Sequence, residues 1–333
     1  MNQSIYSLSI SGRITLDMHS LNNEGGEGNQ TLTRQVTIVA PDENGKPRLA
    51  AVNAISGDMM KHIQAEHLHR ICMEDLQNHP LCQGCRLFSA NRINDDTDFF
   101  SSLKDDKSTV SIMNKLLPHC TMDDLLGILI TQGNRSNPRK SVSEYGWIVA
   151  LPEFSQTDSY FHVKYDPERK ATKVSTQQVQ GSNTGQAIFH RPANSGVYAV
   201  VANFELWRIG FNDVAWNYAV KDEEQRKARA QALLLSVLYT FLQPNGAQRN
   251  TQNPHIVDFE GVISLSHKPL PAPTVSPVNN AYREQIKGIA QSLEPLIGIG
   301  NVSFDEFNSL HEFAAKMTGI ISKVTPYSVT TAN

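Results

Sequence analysis

The first clear pattern in the chain is an alternation of apolar and polar residues over 6–18, "YSLSISGRITLDM". Apolar side chains occupy the even positions, interrupted only by Gly12, and hydroxyl-bearing and charged residues occupy the odd ones. A period of two predicts a strand with one buried face and one polar face. The polar face either meets solvent or places Arg13 and its hydroxyl neighbours against a ligand.

A helix is predicted over 57–77 by capping and by a period near 3.6 residues. Ser56 can cap its N-terminus, and Asp58 suits the positive end of the helix dipole. Methionines and isoleucines share one face of this helix, which leaves Lys61 and His62 available for other contacts.

The long elements follow one another in the order strand, helix, strand, strand, helix, strand. This β-α-β-β-α-β order predicts an α+β fold with a ferredoxin-like, or RRM-like, core. One face of the sheet would carry two helices and the other would be free, as in RNA-recognition modules. The predicted elements are strand 5–18, helix 57–77, strand 145–151, strand 196–206, helix 223–242 and strand 256–265.

Long connections separate these elements and are interpreted as insertions on a single core. The core spans 1–266, with insertions at 20–56, at 78–144 and at 152–195, the last forming a hairpin. The segment 267–333 is predicted to be a helical extension packed on the core.

Three local expectations complete the predicted structure. The stretch 20–35 is rich in glycine and asparagine and is predicted to be a loop. Helices are expected near 279–293 and 303–317. The segment 79–142 is expected to be irregular apart from a short helix near "TMDDLLGILI".

Composition is that of an ordinary soluble protein, with 40% hydrophobic and 19% charged residues among 333. No signal peptide is recognisable, and the longest apolar run, "LLLSVLYTFL", is too short to span a bilayer. We therefore expect a cytoplasmic protein with no membrane contact. The net charge of -3 argues only weakly against a nucleic-acid partner, since the acidic run 94–106 is separate from basic runs at 135–140 and 168–173.

Cysteine and histidine spacing suggests a metal site. Cys82 and Cys85 form a CxxC pair, and His69 and Cys72 form an HxxC pair upstream. Together they predict a tetrahedral structural zinc site. The alternative is a set of reduced cysteines with no metal. The rival ligands are His79, His119 and Cys120.

Catalytic motifs such as GxSxG, HExxH or Walker A are absent from the sequence. Glu24 and Glu27 could in principle hold a metal for phosphodiester cleavage, although loop carboxylates are usually just solvated. The sequence therefore predicts that the protein is not an enzyme.

Cationic and amide side chains collect in the predicted loops and at a helix start. Lysine and arginine suit phosphate oxygens, and asparagine and glutamine can bond ribose hydroxyls and base edges. The loop after the first strand, the start of the first helix and the loop after the second helix should converge in this fold. The candidate RNA-binding residues are Arg13, Asn22, Asn23, Arg34, Ser56, Gly57, Lys61, His62, Arg135, Arg139, Lys173, Gln177, Gln186, Arg191, Gln248, Arg249 and Asn250.

The same residues carry a family resemblance. The motifs "SGRI", "HSLNNEG" and "AISGDMMKH", followed by "SGVYAVVANFEL" and "NGAQRNTQNP", resemble CRISPR-associated Cascade backbone subunits, the DevR or Csa type of the RAMP superfamily. The resemblance covers most of 1–266 and is weak in 78–144 and in the C-terminal segment.

The resemblance implies a hand-shaped subunit, with an RRM-like palm carrying a web at 20–56, fingers at 78–144 and a thumb hairpin at 152–195. Copies of such subunits polymerise along the CRISPR guide RNA, flanked by other Cascade subunits, and the guide then pairs with target DNA. Lys61 would contact the guide backbone.

Relatives that cut RNA use a loop aspartate after the first strand, where this chain has only Glu24 and Glu27. The alternatives are a metal-dependent RAMP ribonuclease and an autoregulatory DNA-binding protein. The sequence leaves open whether the complex serves defence or RNA-guided transposition.

Overall fold

The computed structural model describes residues 3–165 and 186–330. The helices are α1 Gly57–Glu74, α2 Gln83–Arg86, α3 Thr97–Leu103, α4 Thr109–His119, α5 Thr121–Leu126, α6 Glu223–Leu242, α7 Tyr282–Ile297 and α8 Leu310–Lys323. The strands are β1 Gln3–Ile5, β2 Ser7–His19, β3 Asn23–Glu27, β4 Gln30–Thr33, β5 Gln35–Pro41, β6 Pro47–Ile55, β7 Ile128–Ile130, β8 Asn137–Arg139, β9 Ser143–Tyr145, β10 Ile148–Tyr165, β11 Gln186–Phe204, β12 Phe211–Asn212, β13 Asn217–Tyr218, β14 His255–Ser266, β15 Val302–Phe307 and β16 Val324–Pro326.

The protein is a mixed α and β structure built on one large, mostly antiparallel sheet. Its central path runs β15-β14-β2-β11-β10-β6-β5. β2 lies between β14 and β11 and pairs antiparallel with both, and β10 pairs antiparallel with β11. The six long elements occur in the predicted order as β2, α1, β10, β11, α6 and β14, with shorter strands and helices inserted between them.

One face of the sheet is covered by α1, α6 and α8. Aromatic rings dominate the packing there: Phe241 of α6 stacks on Phe259 of β14 at 4.9 Å, and Phe313 of α8 lies 4.8 Å from Phe259. All three are almost completely buried. Each such ring contributes roughly 1.5–3 kcal/mol through burial.

The opposite face of the sheet is not free, contrary to the prediction. The segment after β14 crosses it, and the β2 serines bind that segment: Ser7 Oγ donates to Leu270 O at 3.0 Å, and Ser9 Oγ donates to Ala272 O at 3.1 Å. α7 adds a second small apolar cluster on Val262 of β14. The alternating pattern of β2 therefore has its polar side buried under backbone carbonyls, since hydroxyls can satisfy groups that a proline-rich segment leaves unpaired.

Three local predictions differ from the structure. Part of 20–35 forms the β3–β4 hairpin, with Gly28 at positive φ in its turn. The 78–144 insertion holds four helices, α2 to α5, of which only α5 was expected. In the C-terminal segment, 302–307 is strand rather than helix, because the edge of β14 offers it backbone partners.

No helix in the described parts of the chain is long and apolar enough to cross a membrane.

Candidate nucleic-acid interface and cysteine cluster

The two loops predicted to converge on the start of α1 do meet there. The backbone N–H of Ser56 donates to Asn22 Oδ1 at 2.7 Å, which joins the loop after β2 to the start of α1. The N–H of Ala247, after α6, donates to Leu21 O at 3.1 Å. Arg249 Nη1 binds Glu66 of α1 at 2.7 Å. The predicted convergence is therefore confirmed.

The Ser56-Gly57 turn is shaped by packing. Ser56 Oγ accepts the Met59 N–H at 3.2 Å and so caps α1. A Cβ on Gly57 would lie 2.5 Å from Tyr145 O, so the helix start can rest on β9 only with glycine there. Asn22, Ser56 and Gly57 thus position this corner, and Gly57 is required by the close approach of β9.

A cleft of about 430 Å³ opens beside the first turns of α1 and is lined by Lys61, His62 and Arg92. Lys61 Nζ donates to Leu126 O at 3.1 Å, and Arg92 Nη1 donates to Gly127 O at 2.7 Å. Burial, together with the nearby Arg92 charge, lowers the pKa of Lys61. The cleft also contains the Asp58 carboxylate, but Lys61 and Arg92 outnumber it and their hydrogen bonds go to carbonyls, so the cleft favours an anion.

Arg92 was not among the sequence candidates. It lies in the 78–144 insertion, far along the chain from Lys61, at a positive φ of 50°. No local pattern marks it, because the insertion folds back onto α1 only through tertiary contacts.

Arg34 forms a second cationic position, near the exposed Trp147. Arg34 Nη1 pairs with Glu24 at 2.9 Å, and its guanidinium lies 5.7 Å from the Trp147 ring. Trp147 is 45% exposed and could stack on a base. Glu24 and Glu27 belong to no group of three or more metal-ligating side chains in the described residues.

The predicted phosphate contact by Arg139 is wrong. Its guanidinium is buried and binds Asp124 at 2.8 Å and Asp213 at 3.0 Å, together with backbone carbonyls. Arg13 donates to Pro277 O at 2.7 Å under the covering segment, and Arg135 donates to Lys104 O at 2.9 Å in the connection between α3 and α4. These arginines are occupied by structural contacts.

The other candidates are scattered around this corner and the hairpin. Asn23 accepts a hydrogen bond from Ser20 at 2.6 Å, and Asn250 is exposed in the loop after α6. Gln248 has a φ of 55° and a buried Oε1 without a hydrogen-bond partner. Arg191 is half-buried in β11, whose first residue is Gln186. Lys173 and Gln177 lie outside the described residues.

The cysteine site differs from the predicted one in half of its members. Cys82 and Cys85 are joined by Cys120 and Asp123, and the four ligand atoms all lie within 4.8 Å of one another. The cluster does not include His69, whose ring binds Arg86 O at 3.2 Å, or Cys72, which is buried outside it.

Of the rival ligands, only Cys120 belongs to the cluster. His119 binds Asp96 at 2.8 Å instead, and His79 is buried elsewhere. The sequence signal that could have completed the site is a second pair of ligands three residues apart, Cys120 and Asp123, with the same spacing as the CxxC pair.

Within the cluster the surroundings shift the pKa values of Cys82 and Asp123 in opposite directions. Hydrogen bonds from Cys120 and Cys85 lower the pKa of the Cys82 thiol to about 6. Burial raises the pKa of Asp123 well above its usual range. Asp123 Oδ1 is buried without a hydrogen-bond partner.

Comparisons with known proteins point in one direction. A family model described as CRISPR-associated negative auto-regulator DevR/Csa2 matches residues 10–287. A protein of Methanocaldococcus jannaschii, named CRISPR-associated protein Cas7/Cst2/DevR, is 24% identical over 327 residues, which is 95% of this chain and 98% of the relative. CRISPR-associated protein Cas7/Csa2 1 of Saccharolobus solfataricus is 22% identical over 301 residues, 88% of this chain and 89% of that one.

Solved structures resemble the chain more distantly. A chain of a CRISPR RNA-guided surveillance complex, pre-nicking, matches with a TM-score of 0.49 and 11% identity, covering 95% of this chain and 99% of that chain. A chain of another CRISPR RNA-guided surveillance complex matches with a TM-score of 0.45 and 12% identity, covering 95% of this chain and 98% of that chain. The family match rests on sequence across most of the chain, and by it the protein belongs to the DevR/Csa2 family of CRISPR-associated proteins.

Proposed function

We propose that the protein is a non-catalytic backbone subunit of a type I CRISPR effector, a Cascade, which binds the sugar-phosphate backbone of the guide RNA. In this proposal β2, α1, β10, β11, α6 and β14 form a ferredoxin-like palm. The β3–β6 region forms the web, the 78–144 insertion the fingers and the β10–β11 hairpin the thumb. Copies lie side by side along the guide, with other Cascade subunits at the ends, and the guide pairs with target DNA in segments.

The observation that carries the proposal is the cationic corner at the start of α1. The loops after β2 and after α6 meet the start of α1 there, and Lys61, His62 and Arg92 line one cleft. Such a site suits a phosphate because the cations and the N-terminal end of α1 both favour negative charge. Membership of the family supplies the RNA-guided context.

The hairpin supports contact between copies. β10 and β11 pair continuously from Ser155 with Gly196 to Tyr165 with Gln186. Phe154 is 63% exposed and Phe161 is 57% exposed on this long ribbon. Exposed aromatic side chains on a projecting hairpin suit a partner surface, and a neighbouring copy is the partner that a filament supplies.

The DNA-binding alternative would use the basic start of α6 as its recognition helix, and that helix does not suit the role. The basic start of α6, "QRKARAQA", directs Arg229 to Asp124 at 2.7 Å and Arg226 onto the Tyr218 ring at 3.7 Å. Lys227 pairs with Glu224. A recognition helix needs free cations along one face, and these are committed. The ribonuclease alternative is weakened by the pairing of Glu24 with Arg34.

The first experiment is to co-express the chain with its partner subunits and a CRISPR array, and to sequence the nucleic acid that co-purifies. RNA of uniform length with repeat-derived ends around a spacer is the expected result. Folded protein without such RNA would contradict the proposal.

Replacing Lys61 with alanine tests the cleft directly. We expect Lys61→Ala to weaken RNA binding roughly tenfold and equally across sequences, because a phosphate contact carries no base information. The matched control is Lys316→Ala. Lys316 lies on α8, and its Nζ is 3.6 Å from the carboxylate of Asp305 in β15. Equal RNA affinity for both variants, measured by fluorescence anisotropy at fixed salt, would exclude the assigned role of Lys61.

A further inference from the structure

Three thiols and one carboxylate meet in a dry pocket of the 78–144 insertion. Cys82, Cys85 and Cys120 are at most 1% exposed, and Asp123 is completely buried. Asp123 Oδ2 lies 3.5 Å from Cys82 Sγ and 3.8 Å from Cys85 Sγ. The cysteines form no disulfide.

The spacing fits a tetrahedral ion. Zinc bonds of about 2.3 Å to sulfur and about 2.0 Å to oxygen, at tetrahedral angles, place neighbouring sulfur and oxygen atoms about 3.5 Å apart. The two Asp123 distances agree with this edge, and all four ligand atoms lie within 4.8 Å of one another. An ion could enter the centre of the group after small side-chain adjustments.

The carboxylate gives an independent sign that a cation is needed. Asp123 Oδ1 has no hydrogen-bond partner, and its nearest cation, Arg92 Nη1, is 4.0 Å away. A buried carboxylate is normally paired, hydrogen-bonded or bound to metal. The Oδ2 of Asp123 accepts from the thiols of Cys82 and Cys85, but a bound metal would also satisfy Oδ1 and explain why a third thiol, Cys120, lies in the same group.

The surrounding backbone is built to hold the pocket. The Cys85 N–H donates to Cys82 Sγ at 3.3 Å, which is a contact that stabilises a thiolate. Gly84 packs so closely on Arg92 O that any side chain would clash. Asp96 binds the Gln83 N–H at 3.0 Å and fixes the same turn from outside.

We propose that Cys82, Cys85, Cys120 and Asp123 bind one structural Zn²⁺, with the cysteines as thiolates. The ion joins the α2 turn to the start of α5, where the Thr121 N–H also donates to Pro80 O at 2.7 Å. Cys85 and Met122 also line the Lys61 cleft, so the metal holds one of its walls. This proposal is independent of RNA binding, and its test uses no RNA.

The chain offers a matched control in Cys72, which is completely buried but lies outside the cluster. We expect the full chain, purified without chelator, to carry about one zinc per chain by elemental analysis. Cys72→Ser should keep that content, whereas Cys120→Ser should lose it. Stripped protein titrated with Co²⁺ should develop a thiolate-to-cobalt charge-transfer band that added Zn²⁺ removes.

Two results would overturn the proposal. One is folded wild-type chain that contains no zinc and gives no cobalt band. The other is equal loss of metal in Cys72→Ser and Cys120→Ser. The cobalt titration uses wild-type protein, so it decides the matter even if Cys120→Ser fails to fold. Asp123→Asn keeps the volume of the side chain and should lower zinc affinity at least tenfold while the protein remains folded.

Discussion

Asp123 and Asp124 are adjacent in sequence, share the helix α5 and are both completely buried, yet their surroundings are opposite. Asp124 accepts hydrogen bonds from Arg139 at 2.8 Å, Arg229 at 2.7 Å and the Gly210 N–H at 2.9 Å. Asp123 faces thiols and leaves one oxygen unpaired. The same side chain is thus satisfied from within the chain at one position, and at the next it has only Arg92, 4.0 Å away, as a counter-charge.

The difference shows how a buried carboxylate that holds the fold together can be told from one that marks a binding site. A carboxylate whose lone pairs are filled by arginines is a cross-link between elements, here joining α5, α6 and β8. A buried carboxylate with weak partners marks a place where something else binds. Burial alone would have classed the two residues together.

The largest expected effect on stability comes from removing the charge of Asp124. Asp124→Asn leaves the buried Arg229 without a counter-charge and Arg139 with only the partly exposed Asp213, and should destabilise the fold by about 3–5 kcal/mol. Chemical denaturation of wild type and variant measures this loss in the free energy of unfolding. Asp213→Asn is the control, since Asp213 pairs with Arg139 and Arg208 but is 37% exposed. A denaturation midpoint no lower for Asp124→Asn than for Asp213→Asn would show that the buried carboxylate stabilises the fold no more than the partly exposed one.

A buried group with no charged partner can instead give up its charge, and His19 does so. Burial lowers the pKa of His19 to about 4, and its Nε2 has no partner. Because the folded pKa lies below the unfolded value of about 6.5, the stability is present above pH 6.5 and is lost as the pH falls toward 4. The expected loss is about 1.4 kcal/mol per pH unit in that window.

The measurement is the free energy of unfolding at several pH values between 6.5 and 5, for wild type and for His19→Asn. The variant should show a shallower dependence on pH. Parallel curves would mean that His19 is not the group that titrates.

The smallest effect is expected at Asp123 in the metal-free protein. Asp123→Asn removes a poorly paired carboxylate, so the free energy of unfolding should change by no more than about 1 kcal/mol. Added zinc should then raise the melting temperature of wild type but not of the variant. Calorimetry with and without zinc checks both statements. A loss as large as that of Asp124→Asn in metal-free protein would show that Asp123 is an ordinary structural cross-link.

Local sequence was enough for the long elements. Helix 223–242 has the predicted bounds, because its Asp222 cap and apolar second half are both local signals. Half of the cysteine cluster was equally visible, since CxxC is a local motif. The other half, Cys120 and Asp123, belongs to a separate helix start, and nothing in the sequence joins the two pairs.

The sequence by itself determined the order of the six long strands and helices, the corner at Ser56 and the family, because periodicity, capping and motif spacing are properties of short stretches. Only the tertiary structure decided which charges are available. It buried Arg139, covered the serines of β2 with the segment after β14 and brought Arg92 beside Lys61. The physical reason is that hydrogen bonds and ion pairs between distant segments depend on how elements pack, and packing is not written in any one segment.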